Sequence, residues 1–223
     1  MNIASRLDDA QDAGYGPCMN GEPSRTLFVL VACAFYMMIL ALSLGAAMLW
    51  PEAAGYQWVG SSSWSSTSWA SSLWASSLYW GLGSGVFIAA GSALFATRSH
   101  AGRRLARMLG DALAGTPWWG VLSLAISAGL AEEALFRGTL WGLTRAVGGE
   151  WAALTATSLV FGAAHGFFRG RFLAWSVFAL IAGFMLGGLR MVSGGMLAPV
   201  VAHVIVDAIN IPVVMRLTRG ERP

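Results

Sequence analysis

The feature that most constrains this fold is an apolar run at 26–50, in which 25 consecutive residues carry no charged side chain. At about 1.5 Å per residue, a helix of that length crosses a hydrocarbon layer about 30 Å thick. Five further apolar runs follow at 73–97, 117–143, 151–168, 172–190 and 197–215. This pattern predicts an all-α polytopic membrane protein, a bundle of about six transmembrane helices.

The composition agrees, because only 11% of the 223 residues are charged and 56% are hydrophobic. Ordinary soluble domains have about 25% charged residues. The basic residues form neither a basic block nor an aromatic–basic stripe, so no nucleic-acid partner is expected. The two cysteines, Cys18 and Cys33, indicate neither a disulfide framework nor a cysteine-rich metal site.

The chain divides into three segments by composition. Residues 1–25 are polar and of mixed charge, which predicts a cytoplasmic tail rather than a signal peptide. Residues 26–116 are expected to hold two transmembrane helices, with a Ser- and Trp-rich loop at 51–72 lying on the membrane surface. Residues 117–218 are expected to form a helical core.

The arginines predict the orientation. Two arginines, Arg145 and Arg190, lie near one side of the predicted membrane bundle. Eleven lie on the other side, in the termini and in the loops of that side: Arg6, Arg25, Arg98, Arg103, Arg104, Arg107, Arg169, Arg171, Arg216, Arg219 and Arg222. Cytoplasmic loops carry the excess of basic residues, so both termini are predicted to be cytoplasmic.

Six ionisable side chains fall inside the predicted spans: Glu132, Glu133, Arg137, His165, His203 and Asp207. Each central charge costs about 2.5–3.5 kcal/mol on the insertion scale, so the four Glu, Arg and Asp residues together would cost on the order of 10 kcal/mol unpaired. Something must compensate for them, or use them. Two histidines, two glutamates and an aspartate on three spans favour a functional site over isolated packed residues.

Helical spacing suggests how these groups pair. Glu133 and Arg137 are four residues apart and can form a local ion pair. The Glu132 side chain points about 100° away from that of Glu133 around the helix axis. Its partners must therefore come from another helix, and His165 and His203 are the candidates. A single site requires Glu132 and His203 to lie within about 10 Å of each other.

The same spacing extends the faces that carry the two histidines. His203, Asp207 and Asn210 share one helical face, and Phe161 shares a face with His165. A carboxylate beside a neutral imidazole can take a proton from water and direct the hydroxide at a carbonyl. The set therefore favours hydrolysis of a peptide bond within the membrane.

Three segments carry a family resemblance. Glu132-Glu133-Ala-Leu-Phe-Arg137, Phe161-Gly-Ala-Ala-His165 and His203-Val-Ile-Val-Asp207 resemble, in order, the motifs of the CPBP (Abi) family. That family includes CAAX prenyl endopeptidases and bacteriocin-immunity proteins. The resemblance covers about residues 117–215, under half of the chain, and would make that segment a CPBP-like catalytic core.

The resemblance implies roles for these residues. Glu132 would be the general base, with His165 sharing its water, while Glu133 and Arg137 support the site. His203 and the residue four positions on would stabilise the oxyanion. The family commonly has Asn there and also admits Asp; an ionised Asp207 cannot donate a hydrogen bond, so orienting His203 is the alternative role.

A metal is a second open alternative. Glu132, His165 and His203 supply the two-His, one-carboxylate set of a catalytic zinc site, and the family has been described both as metalloproteases and as metal-independent glutamic proteases. Adjacent glutamates with a distant pair of histidines do not match common zinc spacings. We therefore expect no cofactor, with zinc as the alternative.

The expected function is an intramembrane endopeptidase of the CAAX type that uses Glu-activated water on a membrane-anchored peptide or protein. Its expected location is a bacterial inner membrane. The alternatives are a non-proteolytic immunity or scaffold protein that retains the motifs, or a proton-coupled carrier. Carriers usually have two related halves, and no such internal symmetry is visible in the sequence.

Overall fold

The structure is a computed structural model that describes residues 25–50, 56, 67–166 and 170–219, and within these residues all regular structure is helical. The prediction of an all-α fold is confirmed. The predicted tail, up to residue 24, and most of the predicted 51–72 loop lie outside the described residues. The elements are α1 (Arg25–Leu49), α2 (Thr67–Arg98), α3 (His100–Leu113), α4 (Trp118–Glu133), a π-helical segment (Ala134–Leu140), α5 (Trp141–Ala164), a 3-10 turn (Gly170–Phe172), α6 (Leu173–Ser193) and α7 (Leu197–Arg219).

Five continuous helical stretches in the described part of the chain are long and apolar enough to cross a membrane, and one of them, Trp118–Ala164, has 47 residues. A straight helix of that length would measure about 70 Å. Instead the backbone breaks at Gly149, whose φ is 77° and ψ −174°. Trp141 packs against Leu154, which a straight helix would place about 20 Å away. The stretch is therefore a hairpin of two legs, which accounts for the six predicted apolar segments.

Three predicted boundaries are wrong. Residues 98–116 separate the apolar runs at 73–97 and 117–143, which predicts a loop there, but most of them form α3, an amphipathic helix whose Gly102, Ala106 and Gly110 are buried. The α2 backbone begins at Thr67, inside the predicted Ser/Trp-rich loop, and α5 ends at Ala164. The arginines in 98–116 suggested a loop, but a helix at the membrane surface also carries charged residues on its outer face.

The outside of the bundle is apolar and its inside holds the polar groups. Large side chains such as Leu42, Phe87 and Val147 are 67%, 69% and 93% exposed, while Glu133 and Arg137 are fully buried. This arrangement is expected where lipid surrounds the protein.

Small residues allow α2 to pack closely against α7. A Cβ atom on Gly81 or Gly85 would lie 2.8 Å from side-chain atoms of α7. Glycine is needed at both positions because the two backbones approach too closely for a side chain.

The basic ends of several helices lie together. The Arg25 guanidinium, at the start of α1, donates to the Ala112 carbonyl of α3 at 3.1 Å, and Gly110 of α3 contacts Thr218 of α7. The ends that carry most of the described arginines therefore meet at one end of the bundle. Arg145 lies instead at the hairpin turn, where it pairs with Glu150.

The π-helical segment follows the two glutamates directly. The Tyr56 hydroxyl lies 2.9 Å from the Ala134 carbonyl, to which it donates, and 3.0 Å from the Thr139 hydroxyl. A π-helical turn widens the helix and displaces its carbonyls from their usual partners, and such turns are frequent at functional sites. Tyr56 thus satisfies a backbone group within the segment that follows Glu132 and Glu133.

Candidate active site

The site is built around a buried ion pair. Arg137 Nη1 lies 2.9 Å from Glu133 Oε1, and both side chains are 0% exposed. Arg137 Nη2 donates to the Gly183 carbonyl of α6 at 2.9 Å, and its guanidinium lies 4.7 Å from the centre of the Phe161 ring. The predicted local pair is present, and it also joins the π-helical segment to α5 and α6.

Glu133 has a second partner, His203, which the sequence predicts as a partner of Glu132. His203 Nδ1 lies 2.8 Å from Glu133 Oε1. A carboxylate paired with arginine only accepts hydrogen bonds, so Nδ1 of His203 is the donor. In the neutral ring Nε2 is then an acceptor, and it faces the cavity of the site.

His165 is oriented in the same way at the end of α5. Its Nδ1 lies 2.7 Å from the Phe161 carbonyl, which can only accept, so Nδ1 again donates. The Phe161 ring lies 4.6 Å from the His165 ring and 5.9 Å from the His203 ring, centre to centre. Phe161 therefore packs against both imidazoles.

Glu132 faces both histidines. Its Oε2 lies 3.9 Å from Nε2 of His165 and 3.9 Å from Nε2 of His203. These distances are too long for hydrogen bonds but suit a water that bridges the groups. The required proximity of Glu132 and His203 is met, and three helical segments bring their polar groups to one point.

The remaining two predicted residues differ in position. Asp207 Oδ2 lies 3.7 Å from His203 Nε2, on the same cavity as Glu132. Asn210 lines the adjoining chamber instead, and its Oδ1 is buried without a hydrogen-bond partner among the described residues.

Three spaces that share lining residues such as Tyr36 and Trp175 surround these groups. The central cavity has a volume of about 120 Å³ and is lined by Tyr36, Glu132, Phe161, His165, His203, Asp207 and apolar side chains. A more open pocket of about 530 Å³ lies beside α1 and the π-helical segment. A chamber of about 490 Å³, mostly apolar, extends toward α3. The cavity has room for water, which needs at least about 10–15 Å³.

Glu132, His165 and His203 are residue types that bind zinc, but their donor atoms lie farther apart in the structure than the ligand atoms of a zinc site. Bonds of about 2.0–2.2 Å in a tetrahedral site hold ligand atoms about 3.3 Å apart, and Glu132 Oε2 lies 3.9 Å from each imidazole Nε2. Among the described residues, no group of three or more His, Cys, Asp or Glu side chains is placed to hold a metal ion.

Sequence reasoning missed two residues at this site. Tyr36 of α1 lines the central cavity together with Glu132, and the Trp175 ring lies 5.3 Å from that of His165. A signal for Tyr36 existed, since Cys33, Tyr36 and Ser43 are polar and share one face of an otherwise apolar span. Nothing in the sequence set Trp175 apart from the other tryptophans.

Comparison with known families agrees with the motifs. Residues 114–209 match the family model described as type II CAAX prenyl endopeptidase Rce1-like, which is the CPBP (Abi) family. The predicted resemblance is confirmed over this segment, and the match supports a CAAX-type intramembrane endopeptidase at the level of the family. No curated protein and no solved structure gives a significant match to the chain.

Proposed function

We propose that the protein is a metal-independent endopeptidase that cleaves a membrane-associated substrate with water activated by Glu132. The observation that carries this proposal is the position of Glu132 Oε2, 3.9 Å from Nε2 of both His165 and His203. The three atoms border a cavity of about 120 Å³, in which water and a peptide carbonyl can meet.

The first step is the activation of water. A water between Glu132 and His165 has two acceptors, a carboxylate oxygen and the Nε2 lone pair. Glu132 takes one proton as the oxygen attacks the carbonyl carbon of the substrate. The carbonyl π electrons move to its oxygen, which gives a tetrahedral oxyanion.

His203 is placed to meet that oxyanion. In its imidazolium form it would donate from Nε2, while its Nδ1–H stays bound to Glu133 at 2.8 Å. The Asp207 carboxylate, 3.7 Å from Nε2, would balance the imidazolium charge. Asp207 then acts through His203 and makes no hydrogen bond to the oxyanion.

The last step cleaves the bond. The oxyanion collapses, the carbon–nitrogen bond breaks, and Glu132 returns its proton to the leaving amine. Glu133 does not compete as a base because its Oε1 is engaged by both Arg137 and His203. The two adjacent glutamates thus have separate tasks.

The adjoining chamber suggests a substrate with an apolar part. Its volume is about 490 Å³, and its lining is mainly apolar side chains from α1, α2, α3, α6 and α7. Asp207 borders both the chamber and the central cavity. An apolar segment or a lipid group in the chamber would leave the adjacent peptide bond in the cavity, which suits a membrane-anchored peptide, prenylated or not.

We place the protein in a bacterial inner membrane with both termini in the cytoplasm. The support is the grouping of the described arginine-rich helix ends at one end of the bundle, together with the positive-inside rule. A single cysteine introduced near the C-terminus of a Cys18→Ser, Cys33→Ser protein tests this. Labelling by an impermeant thiol reagent in intact cells would contradict the orientation.

The decisive experiment is a cleavage assay with purified protein in lipid and matched peptides that do and do not carry a prenyl group. We expect Glu132→Gln and His165→Ala to lower kcat/KM by about 10²–10⁴-fold, the usual contribution of general acid–base catalysis. Glu150→Gln, which alters a carboxylate outside the site, is the matched control. Cleavage that survives both site substitutions would overturn the mechanism.

Metal dependence is tested in the same assay. We expect the activity to persist after treatment with a strong zinc chelator. Stoichiometric zinc that is lost together with activity in His165→Ala would contradict a metal-independent reaction. A wild-type protein that cleaves no peptide of the panel would instead favour the immunity or scaffold alternative.

A further inference from the structure

Tyr36 places a polar group of the first helix at the catalytic carboxylate, outside residues 114–209 of the family match. Most of the large side chains of α1 are exposed on the outside of the bundle. The inner face runs through Val29, Cys33, Tyr36 and Ser43, and Ser127 of α4 contacts Cys33 at 3.6 Å. This face sets α1 against α4 and directs Tyr36 toward Glu132.

Glu132 needs something to fix its direction. Its Oε2 has no hydrogen-bond partner among the described residues, and both imidazole nitrogens are 3.9 Å away. Its side chain is 14% exposed, whereas that of Glu133 is 0% exposed and paired. Tyr36 and Glu132 line the same central cavity and the same open pocket, so the Tyr36 hydroxyl is placed to donate to the carboxylate, which can only accept.

The type of donor matters for catalysis. An arginine or lysine beside Glu132 would pair with its charge and weaken it as a base. A tyrosine hydroxyl is neutral, so it can hold one oxygen of the carboxylate and leave the negative charge uncompensated. The other oxygen is then directed at the two histidines.

Tyr36 also lies where the spaces of the site meet. It lines the central cavity, the open pocket beside α1 and the apolar chamber. Its ring is part of the wall between them, so the hydroxyl and the ring have separable roles. Tyr36→Phe removes the hydroxyl and keeps the wall.

We propose that Tyr36 is a positioning residue that holds the Glu132 carboxylate toward His165 and His203, so that the first helix completes the catalytic site. The inference rests on the proposed function, because it assigns Glu132 as the base that Tyr36 orients. A misplacement of about 1 Å of a reacting group can cost about 10²-fold in rate. The hydroxyl therefore acts on the chemical step rather than on substrate binding.

The first measurement is the kinetics of Tyr36→Phe in the cleavage assay. We expect kcat to fall about 10–100-fold with KM nearly unchanged, since the ring that lines the pocket remains. Tyr79→Phe is the matched control, because it removes a hydroxyl from a side chain that is 76% exposed on α2. If Glu132→Gln lowers cleavage as expected but Tyr36→Phe leaves kcat unchanged, or changes KM alone, the inference is overturned.

The second measurement does not need activity. Thermal unfolding is compared for Tyr36→Phe, Glu132→Met and the double variant. A direct contact makes the double variant lose less Tm than the sum of the two single losses. If the wild type cleaves nothing, the proposed function fails and this comparison still decides the contact. Additive Tm losses would overturn the Tyr36–Glu132 contact whether or not the protein is an enzyme.

Discussion

Two groups of charged side chains lie within the helical bundle, and they differ in what surrounds them. The cavity cluster comprises Glu132, Glu133, Arg137, His165 and His203. The hairpin cluster comprises three charged residues, Arg145, Glu150 and Arg190, together with Trp141. In the hairpin cluster Trp141 donates to Glu150 at 3.1 Å and Arg190 lies 5.2 Å from the Trp141 ring centre. Each cluster joins helices, but only the cavity cluster lines the central cavity and the open pocket of the site.

The difference shows that a charge within a membrane helix does not by itself identify a catalytic site. The Arg137–Glu133 pair is 0% exposed on both sides, and the Arg145–Glu150 side chains are 44% and 46% exposed. Neither pair has the features of a base. Glu132 has them, because it borders a cavity and faces two imidazoles without an ion-pair partner that neutralises it.

The largest effect on stability is expected from breaking the buried pair of the cavity cluster. Arg137→Met leaves Glu133 as a buried carboxylate without its cation, which costs about 3–5 kcal/mol. Unfolding by heat or by SDS in mixed micelles measures this. The Glu133→Gln, Arg137→Met double variant should regain part of that loss, because no charge is then left uncompensated. A double variant that is less stable than Arg137→Met would contradict a paired role.

An intermediate effect is expected at the inner part of the hairpin cluster. Arg190 is 6% exposed, and Arg190→Leu removes its contact with the Trp141 ring, worth about 2 kcal/mol when desolvated. We expect lower stability in the same unfolding assay and an unchanged kcat/KM in the folded protein. A loss of activity without a loss of stability would join the two clusters functionally and break the distinction between them.

The smallest effect is expected at the hairpin turn. Glu150→Gln removes the charge that pairs with Arg145, and a half-exposed pair of this kind contributes about 0–1 kcal/mol. The amide oxygen of glutamine can still accept from Trp141. The change in Tm should therefore be close to the error of the measurement. A shift as large as that of Arg190→Leu would mean that the turn, rather than the Trp141–Arg190 contact, holds the hairpin.

Local spacing predicted the pairs within one helix but missed one hydrogen bond between helices. Glu133 and Arg137 meet as four-residue spacing requires, and His203 and Asp207 lie 3.7 Å apart. His203 faces Glu132 at 3.9 Å, as the sequence predicts, but its hydrogen bond goes to Glu133. Contacts within a helix follow from its own geometry, while contacts between helices depend on the rotation and depth of each one.

The same distinction explains the errors in the fold. Apolar runs located the long helices, but the amphipathic α3 was mistaken for a loop because its outer face carries arginines. The division into an N-terminal pair of helices and a core at 117–218 stays a prediction. Tyr36 nevertheless shows that the first helix contributes a polar group to the site formed by the core.

The sequence by itself determined that the protein is an all-α membrane bundle, because long uncharged runs have few other stable folds. It also singled out the candidate site residues, since charged groups are costly in lipid and so few are present. Only the tertiary structure decided that Glu133 orients His203, that Glu132 faces both imidazoles, and that Tyr36 reaches Glu132. Those contacts depend on how four helices pack, which no spacing within a single helix specifies.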